Sequence, residues 1–560
     1  MTVATQIHTL RSSLKYEPRE LEFGTSGRRG KVVDLTQLEV YINALAELEY
    51  LQSLSPAEGG ILRGEEFFFA RDLRLSSDQF VPDQEGRGEI AQAIVAAMRD
   101  AGMQPINLGT IPTPALTCYA LARGRGSMMI TGSHIPFDRN GYKTNSSKGE
   151  LRKEQEAPIN EQVQRERQRL YSEDRDESLF DDRGMFRIGH QELPAEIPDA
   201  RAAWITRFTS FFKNASLGGK RILVDQQSAV GRDLLVEVLE RLNAQVIAVG
   251  RSATFVPIDT ENIGAAQLAT IQALVSEATA KHGPIHAIVS TDGDSDRPLI
   301  LGVDAVTGKA HFFGGDLVGM VVAEFLKADA VVVPISCNDA VDRGNLKSVV
   351  EPKTRIGSPF VIAGMEEARR AGKKRVCGWE PNGGFLTGSD ITRDDAVLPA
   401  LLTRDAILPI LCVLYAADES GVSVVDLFER LPKRFSRAAL LESFPKTLGL
   451  KLVAFFSPST DDGASDHEQS SLETLRQRLA SFFTEEMGFG TITRVDYTDG
   501  VRVLFDNGDV THVRPSGNAD ELRIYAVADT QSRADAIAAM GVAEPNGILR
   551  CMERTVAAHT

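Results

Sequence analysis

The chain has 560 residues, 42% of them hydrophobic and 25% charged, with a formal net charge of −15. That length holds roughly three to five domains, and the composition is ordinary for a globular protein. The acidic balance excludes nonspecific nucleic-acid binding, which needs a basic surface, and it admits an anionic small partner only at a locally basic site.

In chain order, the first feature is Phe23-Gly24-Thr25-Ser26-Gly27-Arg28-Arg29-Gly30-Lys31, read as a flexible loop carrying two or three cations. Glu66–Ala70 reads as an apolar strand followed by the basic loop Arg71–Ser77. The short apolar strand at 126–130 then runs into Thr131-Gly132-Ser133-His134-Ile135-Pro136 and on to Asn140-Gly141-Tyr142-Lys143. Gly132 lets the backbone bend, Pro136 delays any helix, and Ser133 is left on a tight turn where it can carry a covalent group. Residues 145–185 are dense in Glu, Arg, Lys and Gln and read as an exposed charged helix with a loop.

Arg221–Val224 followed by Asp225–Ser228, and Ala330–Ile335 followed by Ser336–Ala340, repeat the pattern of strand, polar loop and helix. Three such units suggest three related α/β domains. Between them, the strand at 285–290 leads into Thr291-Asp292-Gly293-Asp294-Ser295-Asp296-Arg297. Three carboxylates at alternate positions repel one another unless a cation sits among them. An all-oxygen donor set favours a hard ion, Mg²⁺ first. A calcium EF-hand fails on spacing, because its sixth and twelfth positions hold Arg297 and Val303. An acidic turn without metal is the alternative.

Gly378-Trp379-Glu380-Pro381-Asn382-Gly383-Gly384-Phe385 offers a carboxylate and an amide on a Gly-rich turn, suited to sugar hydroxyls or to a turn alone. The apolar stretch 396–417 is broken by Arg404 and Asp405 and is too short to span a bilayer, so it reads as a buried helix. Residues 457–471 read as a surface loop. Beyond about 435 the pattern becomes α+β, with a hairpin at Asp506-Asn507-Gly508-Asp509, strands at 501–505 and 521–527 and a helix at 532–540. Between those strands, Arg514-Pro515-Ser516-Gly517-Asn518 clusters a guanidinium, a hydroxyl, an amide and backbone N–H groups. That is phosphate-binding chemistry, with Arg523 as a second cation.

Gly-x4-Gly-Lys-Ser/Thr, Gly-x-Gly-x-x-Gly and Gly-x-Ser-x-Gly do not occur. The five cysteines form no Cys-x-x-Cys pair, which disfavours zinc and disulfides and fits a reducing cytoplasm. The first twenty residues show no apolar targeting core.

Together these segments resemble the α-D-phosphohexomutase family, in family order from Phe23-Gly24-Thr25-Ser26-Gly27 to Arg514-Pro515-Ser516-Gly517. The resemblance implies three related α/β domains and a C-terminal α+β domain of TATA-binding-protein type around a central cleft, divided as 1–195, 196–303, 304–435 and 436–560. It implies that Ser133 is phosphorylated and that Asp292, Asp294 and Asp296 hold Mg²⁺ with the Ser133 phosphate. Arg297 would stand beside that group, Lys143 would be general acid/base with His134 second, and Arg29 would support the transferring phosphoryl group. Glu380 and Asn382 would touch sugar hydroxyls. Arg514, Ser516, Gly517, Asn518 and Arg523 would hold the phosphate that is not reacting.

The implied reaction interconverts hexose 1-phosphate and hexose 6-phosphate through a hexose 1,6-bisphosphate that also serves as activator. Mannose is the leading hexose, glucose the second and glucosamine the alternative. The implied partner is this small sugar phosphate, without nucleic acid or membrane, in a monomer or homodimer. A sugar-phosphate phosphatase and a non-catalytic sugar-phosphate-binding regulator are the rival readings. The chain departs from the usual pattern at Ile135, where Asn is common, and at Trp379, Asn382 and Gly384, which stand where the sugar loop commonly has Gly, Ser and His. It departs again at Asn518-Ala519-Asp520, where Thr-Glu-Pro is common.

Overall fold

Phe67, Phe68 and Phe69 are all fully buried, as a strand covered on both faces requires. In this computed structural model they form the middle of strand Glu66–Arg71. Phe67 and Phe69 join the core of Leu38, Ile42 and Ile94 on one face. Phe68 meets the Tyr119 ring edge-on at 5.3 Å on the other. The structure describes residues 8–24, 26–261, 263–458, 466–516 and 520–559. They fall into two units, 1–318 with 382–425, and 319–381 with 426–560.

The first unit holds two sheets with parallel centres. One has the order Arg28–Lys31, Arg139–Ser146, Ser127–Ile130, Glu66–Arg71, Gln104–Thr110, the last three strands parallel. The other has the order Gln245–Val249, Arg221–Asp225, Ala287–Thr291, Pro298–Val303, Ala310–Phe312, the first three parallel. An antiparallel pair of Phe385–Thr387 with Leu401–Asp405 also lies in this unit. Helix Gln37–Ser53 starts where the Thr36 side chain accepts the Glu39 N–H, an N-cap that satisfies one orphan donor.

In the second unit, Ala330–Val332 pairs in parallel with Val376–Trp379. A separate antiparallel sheet runs Phe435–Glu442, Glu521–Ala528, Val510–Pro515, Val501–Phe505, Ile492–Asp496. Helices Gln531–Val542 and Ile548–His559 bury Ile537, Leu549 and Met552 against its Val501, Val503 and Ile524. Among the described residues no helix is long and apolar enough to cross a membrane.

Five sequence expectations are corrected. Arg28–Lys31 is a strand, not a flexible loop, because Arg28 is buried and its Nε lies 2.6 Å from Glu47 Oε1. The charged stretch 145–185 is not simply solvated. Its helix Lys153–Ser172 buries Ile159, Val163 and Leu170, and Arg167 pairs with the buried Glu39. The 396–417 stretch begins as two strands, Ala396–Leu398 and Leu401–Asp405, separated by Pro399, and only then becomes helix Ile407–Glu419. Asp405 accepts the N–H groups of Ile407 and Leu408 at 2.8 and 3.3 Å, which starts the helix there. The loop after Ala330–Val332 leads into 3₁₀ turns at Asp339–Asp342 and Asn345–Ser348, not directly into an α-helix. The side chain of Asn338 accepts the Ala340 N–H and fixes the first turn. Of the expected surface loop 457–471, residues 459–465 lie outside the described residues, and helix Asp466–Ala480 takes the rest.

Candidate active site

Ser133 follows the C-terminal end of strand Ser127–Ile130, the edge where open parallel sheets gather ligands. Its φ of 54° lies in the left-handed region, a conformation that costs a non-glycine residue about 1–3 kcal/mol and so needs outside support. Two groups supply it. The Thr131 hydroxyl accepts the Ser133 N–H at 2.7 Å and donates to Asp72 Oδ2 at 2.7 Å. The Arg74 guanidinium donates to the carbonyls of Ser133, Ile135, Pro136 and Arg139 at 2.8, 2.7, 2.9 and 3.2 Å. Arg74 is buried, pairs with Asp72 at 3.2 Å, and lies 3.7 Å from the centre of the Phe255 ring. Read from sequence, Arg71–Ser77 was only a basic loop. The available signal was its place at the end of a buried parallel strand.

The loop after Ala287–Thr291 faces Ser133. Asp292 Oδ1 accepts the N–H groups of Asp296 and Arg297 at 3.1 and 3.2 Å, while Oδ2 accepts from Ser133 Oγ at 2.9 Å. Gly293 permits this approach, since a Cβ there would lie 2.7 Å from the Ser133 carbonyl oxygen and 2.8 Å from Phe255. Asp294 Oδ2 accepts from Thr113 Oγ1 at 2.6 Å.

Carboxylate oxygens of Asp292, Asp294 and Asp296 lie within 4.8 Å of one another, all three residues buried. Burial and the two neighbouring carboxylates push the Asp292 carboxyl well above its ordinary range. For Asp294, burial acts upward, but Lys143, the Thr113 hydrogen bond and Arg404 together hold the carboxyl low. Asp294 Oδ1 and Asp296 Oδ1 are buried without a hydrogen-bond partner. Unsatisfied buried acceptors in an all-oxygen set fit a hard divalent cation, so this triad can bind a metal.

Lys143 reaches the triad through strand alternation. Its neighbours Tyr142 and Thr144 donate to Glu47 at 3.3 and 2.5 Å on one face of strand Arg139–Ser146. Lys143 therefore projects from the other, with Nζ 2.7 Å from Asp294 Oδ2 and 3.1 Å from Asp296 Oδ2. Glu47 was not singled out in the sequence. His134 Nδ1 is 3.4 Å from Ser133 Oγ. Burial, then Arg297 and Arg29, hold that imidazole far below its usual range, so it is neutral at physiological pH. Arg297 Nε lies 3.7 Å from Asp296 Oδ1 and 4.0 Å from Asp292 Oδ2. Arg29 is pulled down to about 10, chiefly by burial and then by Arg297. Its Nε is buried without a hydrogen-bond partner. Arg404, also missed, donates from Nη2 and Nε to Asp296 Oδ2 at 2.7 and 3.1 Å.

The structure thus brings together Ser133, His134, Lys143, Arg29, Asp292, Asp294, Asp296 and Arg297 in the first unit. Asn382 belongs to the same unit, but its Oδ1 is engaged by the Gly384 N–H at 3.0 Å and its carbonyl by Thr260 Oγ1 at 2.9 Å. In the second unit, buried Glu380 accepts from Ser358 Oγ at 3.1 Å. Arg514 and Arg523 stand opposite each other on adjacent strands. Facing like charges repel, and each is paired with an acid: Arg514 Nε is 3.3 Å from Asp499, and Arg523 Nη2 is 2.7 Å from Glu521. The Ser516 N–H donates to the Glu521 carbonyl at 2.8 Å. Gly517 and Asn518 lie outside the described residues.

Three family models match: phosphoglucomutase/phosphomannomutase alpha/beta/alpha domain I over residues 20–170, domain III over 314–435, and the C-terminal domain over 469–544. The chain is 36% identical to a phosphomannomutase of Sinorhizobium fredii over 527 residues, covering 94% of this chain and 98% of the relative. It is 34% identical to a phosphomannomutase of Salmonella muenchen, covering 92% and 93%. In fold it is similar to a phosphoglucomutase/phosphomannomutase family protein of Burkholderia thailandensis, with TM-score 0.62, 16% identity and coverage of 97% and 98%.

Proposed function

The chain belongs to the α-D-phosphohexomutase family, and from that membership we propose that it moves a phosphoryl group between O1 and O6 of a hexose phosphate by way of phosphorylated Ser133. It is a hexose phosphate mutase. The observation that carries the role of Ser133 is its hydroxyl on a supported left-handed turn, 2.9 Å from the first of three buried carboxylates.

In the first transfer a substrate hydroxyl oxygen attacks phosphorus. The bond from phosphorus to Ser133 Oγ breaks, and the serine oxygen remains beside Asp292. Lys143 is the proposed general acid/base for the hydroxyl proton, with the neutral His134 imidazole second. The bound product is a hexose 1,6-bisphosphate. After it turns over, Ser133 Oγ attacks the other phosphorus, the bond from that phosphorus to the sugar oxygen breaks, and the proton returns to that sugar oxygen. Phosphoryl transfer needs mainly positioning and charge neutralisation. A phosphoserine adds about −1.5 to −2 charge. Arg29 and Arg297 offset this locally, at about 4 kcal/mol per pair of unit charges 4 Å apart with an effective dielectric near 20.

Mg²⁺ is the proposed metal, held by Asp292, Asp294 and Asp296, and it would neutralise the phosphoryl oxygens. Glu380 and Asn382 are proposed to meet the sugar. Arg514, Ser516, Gly517, Asn518 and Arg523 are proposed to meet the distal phosphate. Domain limits at 195, 303 and 435 belong to the same proposal, as does a hexose 1,6-bisphosphate activator.

Mannose phosphate is the proposed substrate and glucose phosphate the second, in keeping with the names of the two relatives. A coupled assay with mannose, glucose and glucosamine 1-phosphates, Mg²⁺ and a trace of bisphosphate tests this. The highest kcat/KM is expected for mannose. Glucosamine turned over fastest would overturn the substrate choice, and free phosphate without isomerisation would mark a phosphatase.

A further inference from the structure

Gly384 and Arg404 occupy the same space. Strand Leu401–Asp405 pairs antiparallel with Phe385–Thr387, with Phe385 opposite Asp405. Gly384 stands just before the first of these strands, and the Arg404 side chain runs past its Cα. A Cβ on Gly384 would stand 2.4 Å from Arg404 Cδ, 2.8 Å from Cγ and 3.0 Å from Cβ. These are stem atoms of a side chain only 3% exposed, so it has little room to step aside. A side chain at 384 and this course of Arg404 exclude each other.

The space is used for a definite contact. Arg404 spends two nitrogens on one oxygen, Asp296 Oδ2, which Lys143 Nζ also approaches at 3.1 Å. Asp296 Oδ1 is left with no hydrogen-bond partner among the three carboxylates. Arg404 itself is held on a strand, and its neighbour Asp405 is committed to the start of helix Ile407–Glu419. The backbone that aims the guanidinium is therefore fixed by the strand and by its neighbour Asp405.

We propose that Arg404 is a positioning residue for Asp296: threaded past the bare Gly384, it locks one carboxylate oxygen so that the other faces the metal position. The inference rests on reading the 292–296 loop as the metal-holding loop. Partners of this kind, one step removed from a metal, set the orientation of its ligands, and their loss typically costs about 10–100-fold in metal affinity or activity. It also accounts for Gly384, which stands where the usual sugar loop has His: a side chain there would displace the guanidinium.

The test uses the full chain carrying Ser133→Ala, so that no phosphoryl group contributes to binding. Mg²⁺ affinity is measured by calorimetry, with Mn²⁺ paramagnetic resonance as a second readout of the ligand set. Arg404→Gln should weaken Mg²⁺ binding about 10–100-fold. Arg404→Lys should restore part of it, since charge returns without the two-nitrogen grip. Gly384→Ala should weaken binding in a similar way. Combining it with Arg404→Gln should add little to the Gln change alone, because both act through one contact. Thermal unfolding of each variant separates a misfolded chain from a local loss.

Wild-type-like Mg²⁺ affinity in a folded Arg404→Gln variant would overturn the role of Arg404. Fully additive effects of the two substitutions would overturn the link to Gly384. If the parent chain bound no divalent cation at all, the loop reading itself would fall, a result distinct from either of these.

Discussion

Replacing Arg74 by Met removes the cation that supports the Ser133 turn. In the structure this guanidinium meets four carbonyl oxygens, those of Ser133, Ile135, Pro136 and Arg139, and the Asp72 carboxylate. Breaking a buried ion pair by deleting one partner costs about 3–5 kcal/mol. Each carbonyl left without a donor adds about 1–3 kcal/mol unless water reaches it. The expected loss is therefore at least about 3 kcal/mol, read as an earlier first transition in urea unfolding. Activity should fall as well, because a left-handed serine released from its support wanders from the attack line. A misplacement near 1 Å costs about 100-fold in rate. That loss should appear in kcat more than in KM, since the turn acts on phosphorus and not on substrate capture. Arg74→Lys, with charge but without the planar fork, should recover part of the stability and little of the rate. Pairing Arg74→Met with Asp72→Asn should cost less than the sum of the two. If Arg74→Met unfolded within about 0.5 kcal/mol of wild type and kept its kcat, the support argument would be refuted.

Ser133→Ala should abolish mutase turnover while leaving urea unfolding close to native, and near-native activity would remove the serine from the mechanism. Asp294→Asn should weaken Mg²⁺ binding by at least about 10-fold by calorimetry, and unchanged affinity would count against the triad. His512 is held neutral, its pKa drawn from 6.5 down to about 3, chiefly by burial and then by Arg502. Between those values the unfolded chain binds the extra proton and the folded chain does not. Stability should therefore fall as pH drops below 6.5, by up to about 1.4 kcal/mol per pH unit, with no contribution above it. His512→Asn should flatten that slope in urea midpoints taken from pH 7 to pH 4, and parallel slopes would argue against the assignment.

The parts of the site legible in sequence are those where one short stretch holds both the chemistry and its backbone requirement. Ser133 is flanked by the glycine and proline that shape its turn. The three Asp sit two apart behind an apolar strand. What stayed hidden depends on distant chain. Arg404 lies 108 positions from Asp296 and looked like a polar break in an apolar run. Arg28 reads as part of a mobile loop because its buried partner, Glu47, lies 19 positions on. Glu47 itself reads as a helical surface residue, because nothing local says that Tyr142 and Thr144 will donate to it. The charged helix Lys153–Ser172 hides its buried stripe for a similar reason: few apolar residues carry it, and Arg167 is buried with a partner from another helix. Periodicity detects apolar faces and is blind to ion pairs that take their place.

On the proposed mechanism, Ser133 Oγ carries the phosphoryl group between the two ends of the sugar. Intact-mass spectrometry of active, freshly purified protein, with peptide mapping, tests it most directly. One phosphoryl adduct is expected at Ser133, removed by excess hexose monophosphate and restored by hexose 1,6-bisphosphate. Active protein that never shows this adduct, even after incubation with the bisphosphate, would contradict it.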